Sequence, residues 1–255
     1  MGISIRFDLG SSLISNSLSS NYLSMISPLE KLASGLSINR ASDGPAALVI
    51  SEQLRTQIAS LNQEIENTSA MIGKYETVSS FVSEMRSKLT ELRTLAIGAA
   101  NEGGNSESAQ AAYAATADYI VSSYNHILET AEYNGMNLLD GSDGSLAEVS
   151  QLEGVDLSSA ESAEESIAVI DAAINELDAV QVDLGVTQKN ELEAHRASLQ
   201  VTVQNLEAAE SVLRDTDYAQ EYSTFVGEMI KFQASAALFA HSHIGANTVL
   251  NLLGT

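Results

Sequence analysis

The sequence lacks cysteine and tryptophan, holds only two prolines, and has 5% aromatic residues in 255 positions. Without cysteine there is no disulfide, no thiolate nucleophile and no thiolate metal site. With few aromatics and almost no proline, the chain favours long helices packed on small and medium side chains over an ordinary compact core. Basic residues are also scarce, 12 Lys and Arg against 34 Asp and Glu, for a net charge of −22. That balance argues against a nucleic-acid partner, because phosphate binding needs cations to displace counterions. No run of about 18 apolar residues occurs, so no membrane-spanning helix is expected. The start, Met1 to Asp8, shows no basic leader followed by an apolar core. No cleaved secretory signal is therefore expected, and a product that leaves the cell needs another route.

The charge that is present is unevenly placed. Residues 1–50 carry three basic and three acidic side chains, and residues 214–255 carry two and four. The middle, 51–213, carries 7 basic and 27 acidic residues. No Lys or Arg occurs from Thr94 through Gln188. A solvated acidic face is the plain reading of that stretch, with cation binding as the alternative. Near-neutral ends around an acidic centre suit termini that pack against other subunits while the middle meets water.

Apolar periodicity supplies the architecture. From Ile50 through Leu54, Ile58, Leu61, Ile65 and onward to Ala96, apolar residues step by three or four. This predicts one helix over about 46–100, entered at Asp43 and Pro45. A second helix is expected over Ser106 to Glu132, and a third over Ile167 to Leu213, softened where Gly185 interrupts it. Together they predict a long antiparallel bundle. Tyr133-Asn134-Gly135 and Asp140-Gly141-Ser142 are turn signals. Leu146, Val149, Leu152, Val155 and Leu157 are candidates for brief strands.

Both ends carry further stripes. Leu18, Tyr22, Leu29, Leu32 and Leu36 lie on one, and Tyr218, Tyr222, Phe225, Met229 and Phe232 on the other. Each stripe is broad and poorly charged, so the ends are expected to pair and then pack on copies of themselves. Ser27-Pro28-Leu29-Glu30 reads as a helix start, which predicts a kink or restart near Ser27. The fold class expected is thus mainly α, with paired N- and C-terminal helices and a small irregular or β-hairpin segment.

Several stretches resemble the bacterial flagellin family. Glu30-Lys31-Leu32-Ala33-Ser34-Gly35-Leu36-Ser37-Ile38-Asn39, with Ala41 and Asp43, is similar to its signature E-R-L-S-S-G-L-R-I-N-x-A-x-D. Tyr133-Asn134-Gly135-Met136-Asn137-Leu138-Leu139 resembles F-N-G-x-x-L-L. Arg214-Asp215-Thr216-Asp217-Tyr218-Ala219-Gln220-Glu221 resembles E-D-[ST]-D-Y-A-x-E. The ending Val249-Leu250-Asn251-Leu252-Leu253 looks like V-L-x-L-L. The motifs fall in family order over nearly the whole chain.

The resemblance implies a structural subunit of the hollow helical flagellar filament, used for swimming. It implies an inner core domain from 1–44 and 214–255. Around it would lie a rod-like domain, 45–213, with the variable outer region reduced to a loop or hairpin at about 133–165. Subunit packing would then use Leu18, Tyr22, Leu29, Leu32, Leu36, Ile38, Tyr218, Tyr222, Phe225, Met229, Phe232, Leu250 and Leu253. Implied partners are copies of the chain, an export chaperone on the C-terminal segment, the type III export apparatus, and cap and hook-associated proteins. Implied localisation is extracellular, in the flagellum. A hook–filament junction protein of the same architecture and a minor flagellin are the alternatives.

Departures from the family pattern are informative. Ser37 stands where the family has Arg, with Arg40 nearby as a substitute, and Pro28 lies in a helix that is continuous in the family. The stretch Leu89 to Leu95, with Glu91 and Arg93 inside it, aligns with the segment L-Q-R-V-R-E-L read by the vertebrate Toll-like receptor for flagellin. Glu91 replaces its first Arg and Thr94 its Glu, so weak or absent signalling is expected. Ser142, Ser145, Ser158 and Ser159 lie where outer-surface O-glycans occur in some members; plain polar loop serines are the alternative.

No catalytic motif is recognisable, and neither a cofactor nor a metal is expected. H-E-x-x-H, G-x-S-x-G, the P-loop and the dinucleotide fingerprint are all missing. His241 and His243 are two apart, a poor chelate on a helix. Asp140, Gly141 and Asp143 match a calcium loop only at its start. His195 lies on the bundle stripe and is expected to be packed and hydrogen-bonded.

Overall fold

The computed structural model describes residues 2–101, 104–142 and 144–253, with side chains described within 12–242. Among the described residues, six α-helices follow in order: α1 (Gly2–Ser34), α2 (Pro45–Ala99), α3 (Glu107–Thr130), α4 (Ala160–Val186), α5 (Ala194–Arg214) and α6 (Tyr218–Leu253). A π-helical segment, Thr187–Glu193, joins α4 to α5. Two short strands, β1 (Glu132–Tyr133) and β2 (Met136–Asn137), pair antiparallel. The chain divides into two units, 1–60 with 203–255, and 61–202.

Helix starts follow local chemistry. Pro45 occupies the first position of α2, where its missing N–H leaves no bond unmade. Ser106 caps α3 by accepting the Ala109 N–H. Ser159 and Ser162 form a reciprocal capping box at the start of α4. The β1–β2 turn has positive φ at Asn134 (53°) and Gly135 (77°). Two such residues are what a tight two-residue hairpin demands, and the Asn-Gly pair meets the demand.

In unit 61–202 one core joins three helices. Val78, Val82, Met85, Leu89, Leu92, Ala96 and Ala99 of α2 meet Ala117, Ile120, Tyr124 and Leu128 of α3 and Ala163, Ile170, Leu177 and Leu184 of α4. Arg86 binds Asp178 at 2.5 Å and Arg93 binds Asp171 at 2.6 Å. The two pairs are spaced seven residues apart on each helix, which marks the antiparallel register of α2 and α4.

Three expectations are corrected. The stretch Leu146 to Leu157 forms no strands, apart from a single bridge between Asp140 and Glu148. Its backbone is satisfied by helix side chains instead of a ladder. Asn125 accepts the Leu152 N–H (2.9 Å) and donates to the Leu152 carbonyl (3.2 Å). The Ser166 hydroxyl accepts the Asp156 N–H (2.9 Å) and donates to its carbonyl (3.0 Å). With those groups paired, Val149, Leu152 and Leu157 can be buried in irregular backbone.

Second, α1 does not restart at Ser27; it runs through Pro28, which is buried. The helix is held to α6 on both sides of the proline, by Asn21 with Ser235 (2.6 Å) and Lys31 with Glu221 (2.8 Å). Third, His195 is not packed: its side chain is 53% exposed, 3.6 Å from Glu64. His195 lies just past the π-helical segment, where the burial on that helix resumes only at Leu199.

Candidate assembly surface

Residues 1–60 and 203–255 bring the chain ends together. α1 and α6 run antiparallel, since Asn21 meets Ser235 while Lys31 meets Glu221. Tyr22 and Phe232 face each other with ring centroids 6.0 Å apart. The Lys31–Glu221 pair is largely covered, with side chains 29% and 18% exposed.

The turns beyond α1 and α5 are clipped to each other. Gly35, at φ +76°, ends α1 and gives its carbonyl to the Thr216 N–H at 3.0 Å. The Ser37 N–H donates to the Arg214 carbonyl at 2.7 Å, and Leu36 bridges Asp215. The Arg214 guanidinium turns instead to Glu52 on α2 at 3.0 Å. Asp43 accepts the N–H groups of Asn39 and Arg40, and these bonds hold its carboxyl below the usual range. Arg40 pairs with Glu30 at 2.8 Å, so it does not occupy the place beside Arg214 that Ser37 fills.

The expected packing residues fall into two groups. Leu18, Leu32, Leu36, Phe225, Met229 and Phe232 are partly covered, and Ile38 is buried. Tyr22, Leu29, Tyr218 and Tyr222 are exposed, as are Leu23, Ile230 and Leu238. Leu250 and Leu253 lie in α6, but their side chains are outside the described residues. The α1–α6 pair therefore covers one apolar face and leaves another wet. The clip itself escaped sequence reasoning, since its partners lie 177 residues apart and no spacing rule reaches that far.

The remaining candidates lie in unit 61–202. Leu89 is fully buried, Leu95 partly covered and Glu91 exposed. Arg93 is engaged with Asp171, whose carboxyl it holds low. Ser142 and Ser158 are exposed and Ser145 is partly covered. Ser159 is exposed but its hydroxyl serves the α4 cap. Among the described residues, no group of three His, Cys, Asp or Glu is placed to hold a metal ion. Nor is any helix among them long and apolar enough to cross a membrane.

Two family models match the chain. The bacterial flagellin N-terminal helical region covers residues 9–144, and the bacterial flagellin C-terminal helical region covers 167–253. A flagellin of Halalkalibacterium halodurans is 36% identical, over 88% of this chain and 90% of that protein. Flagellin FlaB1 of Treponema pallidum is 30% identical, over 88% of this chain and 91% of that one. The crystal structure of Bacillus cereus flagellin aligns with a TM-score of 0.49 at 20% identity, covering 57% of this chain and 94% of that chain.

Proposed function

The chain belongs to the bacterial flagellin family, and from that premise we propose that it polymerises through its paired ends into the flagellar filament. It is a structural subunit. The observation that carries the assembly surface is the α1–α6 pair, with Tyr22, Leu29, Tyr218 and Tyr222 left exposed along it. Apolar surface of this kind gains about 25 cal/mol per Å² when another copy covers it. The proposed inner domain is 1–44 with 214–255; the proposed rod is 45–213, with 133–165 as its reduced outer part.

Further proposals follow from family membership. Copies of the chain are its main partners. An export chaperone covers the C-terminal segment, and the flagellar type III apparatus delivers the chain to the cell exterior. Cap and hook-associated proteins meet it at the filament ends. A hook–filament junction role is the second reading. The Gly35-Leu36-Ser37-Ile38-Asn39 and Asp217-Tyr218-Ala219 stretches favour the filament, because they follow the flagellin motifs.

The test is seeded assembly of purified protein, viewed by electron microscopy. The full chain is expected to form filaments many subunits long, and a chain lacking 214–255 none. Filaments formed by the truncated chain would overturn the proposal. A full chain present only in a few copies at the hook end of native filaments would favour the junction reading.

A further inference from the structure

Unit 61–202 changes its construction at one level along its helices. The core shared with α3 ends at Val78 on α2 and Leu184 on α4. Past that level the buried positions of this unit are Ile72 and Thr68 on α2 and Leu199 on α5. The helices stay neighbours there. Burial raises the Tyr75 hydroxyl pKa, and the nearby carboxylates of Glu191 and Asp183 add to it. Further along, His195 lies beside Glu64.

The apolar repeat slips at the same level. Ala163, Ile170, Leu177 and Leu184 are buried at seven-residue intervals along α4. Eight residues then separate Leu184 from Leu192, and Leu199 follows the new phase. In an uninterrupted α-helix one extra residue turns the following side chains by about 100°. That turn would carry Leu199 off the seam and bring Ser198 toward it. The helix instead widens into π geometry over Thr187–Glu193, which takes in the extra residue. None of those seven residues is buried.

Two glycines mark the same level, Gly185 near the end of α4 and Gly73 on α2. A Cβ at either would meet nothing within 4 Å, so packing does not require glycine. Each lowers local helix stability relative to alanine.

We propose that this level is a flexure joint, where the bundle opens and bends ahead of the rest of unit 61–202. It is encoded by one surplus residue in the apolar repeat and by a glycine on each facing helix. The π-helical turns hold the two seams in phase on either side. Their lack of buried side chains leaves them the weakest part of the helix. In a filament subunit such a joint takes up curvature within one chain, yet the joint itself does not depend on assembly and is testable in the soluble protein.

The experiment is hydrogen exchange read by mass spectrometry on the full soluble chain. Peptides spanning 183–195 and 69–76 are expected to exchange at least about tenfold faster than those spanning 78–92 and 165–180. Deleting Gln188 returns Leu192 to the Leu184 phase. It is expected to slow exchange over 183–195 about tenfold without loss of helical circular dichroism. The pair Gly73→Ala and Gly185→Ala, at unchanged length, is expected to slow exchange over both segments. Uniform protection across 160–214 in the native chain overturns the joint. So does unchanged exchange over 183–195 in the deletion. If the deletion does not fold, unchanged exchange in the double alanine variant overturns it.

Discussion

Ser37 gives both of its donors to one acceptor: its backbone N–H and its hydroxyl reach the Arg214 carbonyl at 2.7 and 3.1 Å. These two hydrogen bonds to one oxygen tie the turn after α1 to the end of α5. Beside it, Gly35 sits at φ +76°, where a Cβ would come within 2.9 Å of the Tyr218 hydroxyl oxygen. Gly35→Ala is therefore expected to cost about 1–2 kcal/mol. Ser37→Ala, which keeps the backbone bond, is expected to cost about 1 kcal/mol. The measurement is the temperature at which assembled filaments dissociate, with the alanine variant of Gly35 melting lowest.

The Arg93–Asp171 pair supplies a pH signature. The Arg93 hydrogen bond lowers the Asp171 pKa from its ordinary 3.8. A carboxyl that is more acidic in the folded chain stabilises it above the unfolded value and loses that contribution as pH falls through the folded value. Asp171→Asn should therefore lower the denaturation midpoint at pH 7, by an amount that shrinks toward zero below about pH 4. Both side chains are more than a third exposed, so the difference is expected to be small and to weaken in high salt. A difference that grows on acidification would contradict this account.

Tyr124 titrates at the opposite end of the scale. Burial pushes its hydroxyl up to about 12, with the Glu176 carboxylate adding to the shift. A raised pKa on an acid that is neutral in the fold stabilises the folded chain below the unfolded value, near 10.0. That contribution is whole below the unfolded value, declines as pH rises from there, and is gone once pH has risen through the folded value. In an ultraviolet titration, one tyrosine should ionise last, and Tyr124→Phe should remove that late step alone.

Ser159 is a poor candidate for a surface glycan despite its exposure. Its hydroxyl accepts the Ser162 N–H at 3.1 Å in the capping box of α4. Ser159→Ala is expected to destabilise the chain by about 1 kcal/mol in urea denaturation. If native filaments carry O-glycans, peptide mapping is expected to find them at Ser142 or Ser158 before Ser159. An unmodified intact mass would remove the glycan reading.

Reporter cells bearing the vertebrate flagellin receptor are expected to stay silent at nanomolar protein. Glu91 presents an acid on the exposed face where the matching motif has a base, and Arg93 is engaged by Asp171. Robust activation by the native chain would contradict the expectation. Glu91→Arg together with Thr94→Glu is expected to raise the signal.

Much of this molecule is legible one helix at a time. The apolar steps from Ile50 to Ala96 mark α2, because a stripe at helical spacing needs only local periodicity to be seen. Pro45, Ser106 and the Asn134-Gly135 pair mark starts and turns for the same local reason. The four terminal and turn motifs carry the family resemblance without reference to any contact.

What periodicity could not supply was the pairing of distant groups. Pro28 reads as a helix start, yet contacts with α6 on both sides keep α1 continuous. Leu152 and Val149 read as strand residues, but Asn125, Ser166 and Glu176 satisfy the backbone of that stretch from neighbouring helices. The one-residue slip between Leu184 and Leu192 is visible in the sequence. That a π-helical turn takes it in, with Leu199 buried beyond it, is visible only in the structure, because the sequence does not say which backbone geometry absorbs an extra residue.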